Sequence, residues 1–332
     1  MADTRMPPWL RAVLPWIITA ALLALVFLKV DFRKTVANFR DANLWVFLPA
    51  AILFNFYIFF INSLVYTKVL NWFCGPVKYS SVLAIRGASY LLTSLNTGAG
   101  QGGMLLWMSK KERLPFWEVI SAALMVPVAD LSFLAVALTI PVALNSFIGG
   151  VLPDINIRIL LLVIGIFWGL LLAHFLFWNV GGDKIARRFK QKAWFKAYRN
   201  AGVRQYVILL GIRCLQHIPG VLAFYVGLRA FGGIVPFGTF VIRFPAALVI
   251  QSLPVTMFQL GTAQGGWLLM FGNLVDQSRL VAFTLSWSFV YSLVRIAIGA
   301  FFFRGEMRAF FRGAQGEPNA QSTIAPQEKT DD

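Results

Sequence analysis

Five apolar runs of 24 to 29 residues, Leu44–Val69, Phe116–Leu144, Ile157–Val180, Tyr206–Phe231 and Arg279–Phe303, dominate this chain, and Val13–Val30 is a shorter sixth. A helix rises about 1.5 Å per residue, so such runs cross or nearly cross a hydrocarbon core roughly 30 Å thick. Charged residues are 13% of the chain and hydrophobic ones 58%. Soluble domains carry about 25% charged residues, so a soluble fold is excluded and the expected class is an all-α polytopic membrane protein. No cleavable signal peptide is expected, because the opening apolar run continues to Val30 without a small-residue cleavage site. The net charge of +16 is read as the cytoplasmic-side bias of Lys and Arg, with no nucleic acid as partner. Cys74 and Cys214 lie in or beside apolar segments and say nothing of disulfides.

Between the runs the chain writes one element twice. Gly98–Gly103 reads G-A-G-Q-G-G and Gly261–Gly266 reads G-T-A-Q-G-G. Both follow an Ile-Arg pair, Ile85-Arg86 and Ile242-Arg243, and a later Ser-Leu, Ser94-Leu95 and Ser252-Leu253. The arms on either side are too short to span as helices, which predicts two Gly-broken re-entrant hairpins, at 81–108 and 238–273. Six spans with both termini cytoplasmic then put 19 basic residues inside and seven outside. Full crossing by both elements gives eight spans and a poorer split, 16 against 10, so positive-inside counting favours the hairpins. Each half then reads span, span, hairpin, span, over 13–144 and 157–303, and the halves are inverted. Inverted repeats with broken helices near the midplane are a transporter architecture. The basic loop 183–204 is expected on the cytoplasmic side, where Trp194, Phe195 and Tyr198 among its bases allow a helix lying on anionic lipid. Residues 313–332 read as a disordered tail.

The candidate binding residues follow from this plan. Gln101 and Gln264 are expected at the hairpin tips, offering amide groups to a ligand or simply satisfying broken backbone. Gly98, Gly100, Gly102, Gly103, Gly261, Gly265 and Gly266 would expose backbone N–H groups there, or let helices pack closely. Arg86 and Arg243 open the hairpins at opposite faces, either as phosphate clamps or as snorkelling anchors. Asp130 and Arg295 lie in the spans after each hairpin. A lone charge at mid-membrane costs about 2.5–3.5 kcal/mol, so partners are expected: Asp130 with Arg295, or Asp130 with Arg213. With two histidines in the chain, no metal site is expected, and no cofactor. Trp107, Phe116, Trp267 and Phe271 are expected to wall a path for lipid tails.

The two hairpins, the aspartate in the following span and the L-P…G-x-x-Q-G-G return (Leu253-Pro254 to Gly266) resemble the flippase-like membrane domain of the lysylphosphatidylglycerol synthase family. The resemblance covers roughly Val13 to Phe303. Where members commonly carry G-E-x-x-R near the first turn, this chain has Gly100-Gln101-Gly102-Gly103-Met104. The family's aminoacyl-transferase domain is not in this sequence, so the resemblance implies lipid translocation and not synthesis. The expectation is therefore a non-enzymatic flippase of the bacterial cytoplasmic (inner) membrane that moves an amphipathic, phosphate-bearing lipid. The rival classes are an accessory subunit for a lipid-modifying partner and a membrane enzyme acting on head groups.

Overall fold

The computed structural model describes residues 8–95, 97–148, 157–179, 191–251 and 260–315. Among the described residues the ordered elements are all helical: α1 (Pro8–Lys29), α2 (Phe32–Asp41), α3 (Leu44–Phe73), α4 (Tyr79–Leu95), α5 (Thr97–Lys111), α6 (Phe116–Ile148), α7 (Ile157–Asn179), a 3-10 turn at Ala193–Phe195 running into α8 (Lys196–Asn200), α9 (Val203–Ala230), α10 (Phe237–Gln251), α11 (Thr262–Phe271) and α12 (Gln277–Gln315). Among the described residues five stretches are long and apolar enough to cross a membrane: Leu44–Phe73, Phe116–Leu144, Leu161–Trp178, Val203–Ala230 and Gln277–Glu306. The expected sixth span falls on α1, whose described apolar part, Trp16–Leu28, is shorter. The tail expected from Gly313 starts inside α12, and residues 316–332 lie outside the described residues.

Local chemistry sets the breaks. The Asp31 carboxylate accepts from the Arg33 and Lys34 N–H groups and starts α2. The Asn43 side chain accepts from Val46 N–H and starts α3, while the Asn43 N–H reaches the Ala230 carbonyl at the end of α9. Polar residues inside α3 are satisfied within the helix, as lipid requires: Asn55, Asn62, Ser63 and Thr67 each donate to the carbonyl four residues back.

Two pairs of short helices, α4–α5 and α10–α11, stand where the re-entrant hairpins are expected. At 17, 15, 15 and 10 residues, each arm falls short of a roughly 30 Å hydrocarbon core. Each pair packs against the long helix of the other half: α4 runs along α12, and α10 contacts α6. Helices α3 and α9 pack on each other at the centre. Small residues permit the α4–α12 approach; a Cβ on Gly299 would lie 2.9 Å from the Leu91 backbone nitrogen, and one on Gly87 2.4 Å from the Phe302 ring.

The open ends of the two pairs lie at opposite ends of α12. Lys111, closing α5, pairs with Glu306 at 2.7 Å, and Ser81 of α4 donates to Glu112. Toward the other end, Arg279 donates to the Gly232 carbonyl at 2.9 Å, and α11 leads into the start of α12.

The largest core is aromatic. Trp267 is fully buried, with ring centroids of Phe283, Phe271 and Phe224 at 5.0, 5.1 and 5.7 Å. Trp107, Trp267 and Phe271, expected to wall a lipid path, are instead core residues; helices this short bury their largest side chains to hold their place. The basic loop also departs from expectation. Its described part, from Gln191, docks on α6: Lys196 pairs with Glu118 at 2.6 Å, Ala197 N–H donates to Ser121, and the Tyr198 hydroxyl donates to the Leu124 carbonyl. Tyr198 stacks on Trp178, and burial pushes its phenol pKa up. Phe195 and Tyr198 therefore pack into protein, leaving Trp194, stacked on Trp117 at 4.7 Å, as the exposed aromatic of that segment. Residues 183–190 lie outside the described residues.

Candidate functional site

Four of the singled-out residues meet inside the bundle. Asp130 on α6 pairs with Arg213 on α9, Oδ1 to Nε 2.8 Å, where the Arg213 side chain is 1% exposed and that of Asp130 40%. Of the two expected arrangements, the structure has Asp130 with Arg213. Arg213 Nη1 also donates to Asn62 Oδ1 at 2.8 Å and to Gln216 Oε1. Asn62 serves this role because its amide nitrogen is already bonded along α3. Arg86, expected at a hairpin mouth, is eight residues into α4 and close enough to act electrostatically on both Asp130 and Arg213.

Tyrosines bridge this group to Arg295. The Arg86 guanidinium lies 5.0 Å from the Tyr66 ring centroid and 5.7 Å from that of Tyr90. Arg295 lies 4.4 Å from the same Tyr90 ring and 5.1 Å from Tyr291, whose hydroxyl accepts from Arg295 Nη1 at 3.1 Å. Three guanidiniums thus stand around Tyr90 and Asp130: Arg213 on the carboxylate, Arg86 within its field and against the Tyr90 ring, and Arg295 against the same ring. Other described acids lie elsewhere: Glu112, Glu118 and Glu306 at the Lys111 end, Asp31 and Asp276 at helix starts, and Asp41 at the end of α2. Several guanidinium nitrogens have no hydrogen-bond acceptor although buried, namely Arg86 Nε, Arg213 Nη2 and Arg295 Nε. Cation–π contacts offset part of that, about 0.5–2 kcal/mol each.

A cavity of about 140 Å³ adjoins the cluster. Gln216 and Tyr291, the partners of Arg213 and Arg295, line it together with His217, Gln251 and Ser288. His217 is held flat against Phe133, centroids 4.0 Å apart.

The two glycine motifs, expected at the hairpin tips, each open the second helix of their pair but are built differently. In the first copy α5 begins at Thr97, so Gly98–Gly103 form its opening turns; α4 ends at Leu95, and residue 96 lies outside the described residues. Gln101 and Gly102 are exposed there. Gly100 is the close-contact position, since an added Cβ would lie 2.3–2.4 Å from Thr93 Oγ1, Cα and N. In the second copy Gly261 precedes α11 at φ +90, in the left-handed region that glycine tolerates. Its N–H donates to Gln264 Oε1 at 2.6 Å. Gln264 is fully buried and satisfies the broken backbone. Gly266 faces the Ala247 carbonyl across the pair, and Gly265 faces open space. Arg243 is buried and ties α10 to the end of α11, with Nη1 donating to Met270 O at 2.9 Å and Asn273 Oδ1 at 2.7 Å.

Tyr66, Tyr90 and Tyr291 escaped the sequence reading. The signal was present: Arg86 and Tyr90, like Tyr291 and Arg295, are four residues apart, hence on one helix face.

The family described as lysylphosphatidylglycerol synthase TM region matches residues 12–299. No curated protein matches the chain. With five membrane-length helices among the described residues and a match over nearly its whole length, this chain is a multi-pass membrane protein and belongs to the lysylphosphatidylglycerol synthase transmembrane-region family.

Proposed function

We propose that this protein moves an anionic, phosphate-bearing lipid between leaflets, taking the head group at the Arg86–Arg213–Arg295 cluster. One observation carries the reading: three guanidiniums and one carboxylate meet within the bundle, with buried nitrogens lacking acceptors. Uncompensated charge at membrane depth is expensive. A phosphate would supply the missing negative charge and match guanidinium geometry bidentately. Binding and passage need no nucleophile or metal, so we read the protein as a translocator and not an enzyme. Native mass spectrometry tests the site. Wild type should retain phosphatidylglycerol over phosphatidylcholine, and Arg295→Gln should lower that preference about tenfold, the equivalent of one charge-assisted hydrogen bond. An unchanged preference would make the arginines structural only.

The topology we infer has both termini cytoplasmic in the bacterial inner membrane, with α4–α5 and α10–α11 as re-entrant hairpins from opposite faces. It is supported by the basic-residue count and by the open ends lying at opposite ends of α12. Cysteines at Lys110 and Lys192 should both label from the cytoplasmic side, and one at Gly233 from the other. Labelling of Lys110 and Lys192 from opposite faces would contradict the inverted arrangement.

A further inference from the structure

A second, larger cavity of about 620 Å³ lies on the outside of α12, between it, the start of α3 and α2. Its wall is apolar, with Phe39, Leu44, Leu48, Phe289 and Ile296 among the lining residues, and the last four are exposed at the protein surface. It adjoins the inner cavity, since Ser288 lines both. Aromatic rings stand between the two walls, with the Trp287 ring of the inner cavity 6.0 Å from Phe47 of the outer one and 6.0 Å from Phe54.

The groove follows α12 from Leu285 to Ile296, eleven residue steps and so roughly 16 Å. That is about half the hydrocarbon thickness, the reach of one leaflet's acyl chain. Its outer end meets α2, a short helix that exposes Arg33, Lys34 and Arg40. A groove of this length, apolar along its wall and cationic at its rim, fits one lipid molecule.

We propose that this groove is a tail-binding site, holding one acyl chain of the lipid while its head group passes Ser288 and Trp287 to the arginine cluster. The proposal rests on the translocation reading and adds the lateral route by which the lipid reaches the site. Ser288 and Ser292 keep the α12 wall low along the route: Ser292 folds its hydroxyl back on the Ser288 carbonyl at 2.8 Å, so neither presents a bulky group to the chain.

The full chain in nanodiscs of phosphatidylglycerol carrying a diazirine in its tail tests this by photolysis and peptide mass spectrometry. Adducts should concentrate several-fold on Leu48 and Ile296 over Leu162 and Leu172 of α7, which are more exposed. Ser292→Phe, which fills the groove from its wall, should bring the adducts down to the α7 level while the protein stays folded. Even labelling of all exposed leucines in wild type, or enrichment that survives Ser292→Phe, would overturn the groove. Head-group preference, read on the same samples, separates the two claims. Uniform adducts with preference intact remove the groove alone. Enriched adducts without preference keep the groove and remove the arginine site.

Discussion

Asp130→Asn is expected to destabilise the protein by about 3 kcal/mol, the low end for breaking a buried ion pair by removing one partner. The cost falls on Arg213, which is 1% exposed and would lose its counter-charge, keeping only neutral amide acceptors, among them Asn62 and Gln216. Folded yield and the thermal midpoint in detergent should both drop. The double change Asp130→Leu with Arg213→Met should recover most of the loss, because an apolar pair of similar volume is often as stable as a buried ion pair. It should not recover preference for anionic lipid. If Asp130→Asn leaves yield and midpoint unchanged, the pair does not hold α6 to α9.

Within the glycine motifs, effects should differ sharply from one position to the next. Gly100→Ala would set a Cβ 2.4 Å from the Thr93 backbone, and backbone cannot give way as a side-chain tip can. The loss should reach or exceed the roughly 1–3 kcal/mol typical of overpacking and open the α4–α5 pair. Gly261→Ala combines a left-handed φ with a Cβ 2.6 Å from Leu22 Cβ and should cost a comparable amount. Gly102→Ala and Gly265→Ala meet nothing within 4 Å. In helix interiors they should be neutral or stabilising by up to about 1 kcal/mol, as alanine is the better helix former. Thermal unfolding of the four variants checks the order. Equal losses at all four would mean the glycines act through something other than close packing.

The parts of this molecule legible in its sequence are those set by one-dimensional rules. Long apolar runs gave the spans, and short arms around repeated glycines gave the two helix pairs. Which partner Asp130 takes was not legible, because Arg213 and Arg295 are both plausible until the packing of α6 on α9 chooses. Arg86 and Arg243 look equivalent in sequence yet differ in place: one stands among tyrosines in the cluster, the other closes α11 through Met270 and Asn273. Gln101 and Gln264 diverge in the same way, one exposed and one capping Gly261. The aromatic walls were misassigned because Trp and Phe look alike in a lipid-facing run and a core. Only tertiary contact shows that Trp267 is enclosed by Phe224, Phe271 and Phe283.

Movement of an anionic lipid past the arginine cluster is read directly by a dithionite-quenching assay in proteoliposomes. Phosphatidylglycerol and phosphatidylcholine, each carrying a fluorophore on one tail, are followed with wild type and Arg295→Gln. Wild type should bring inner-leaflet phosphatidylglycerol to the outside faster than protein-free vesicles and faster than phosphatidylcholine, and Arg295→Gln should reduce the phosphatidylglycerol rate to that of phosphatidylcholine. Rates no higher than in protein-free vesicles, or the same acceleration for both lipids in both proteins, would contradict the account.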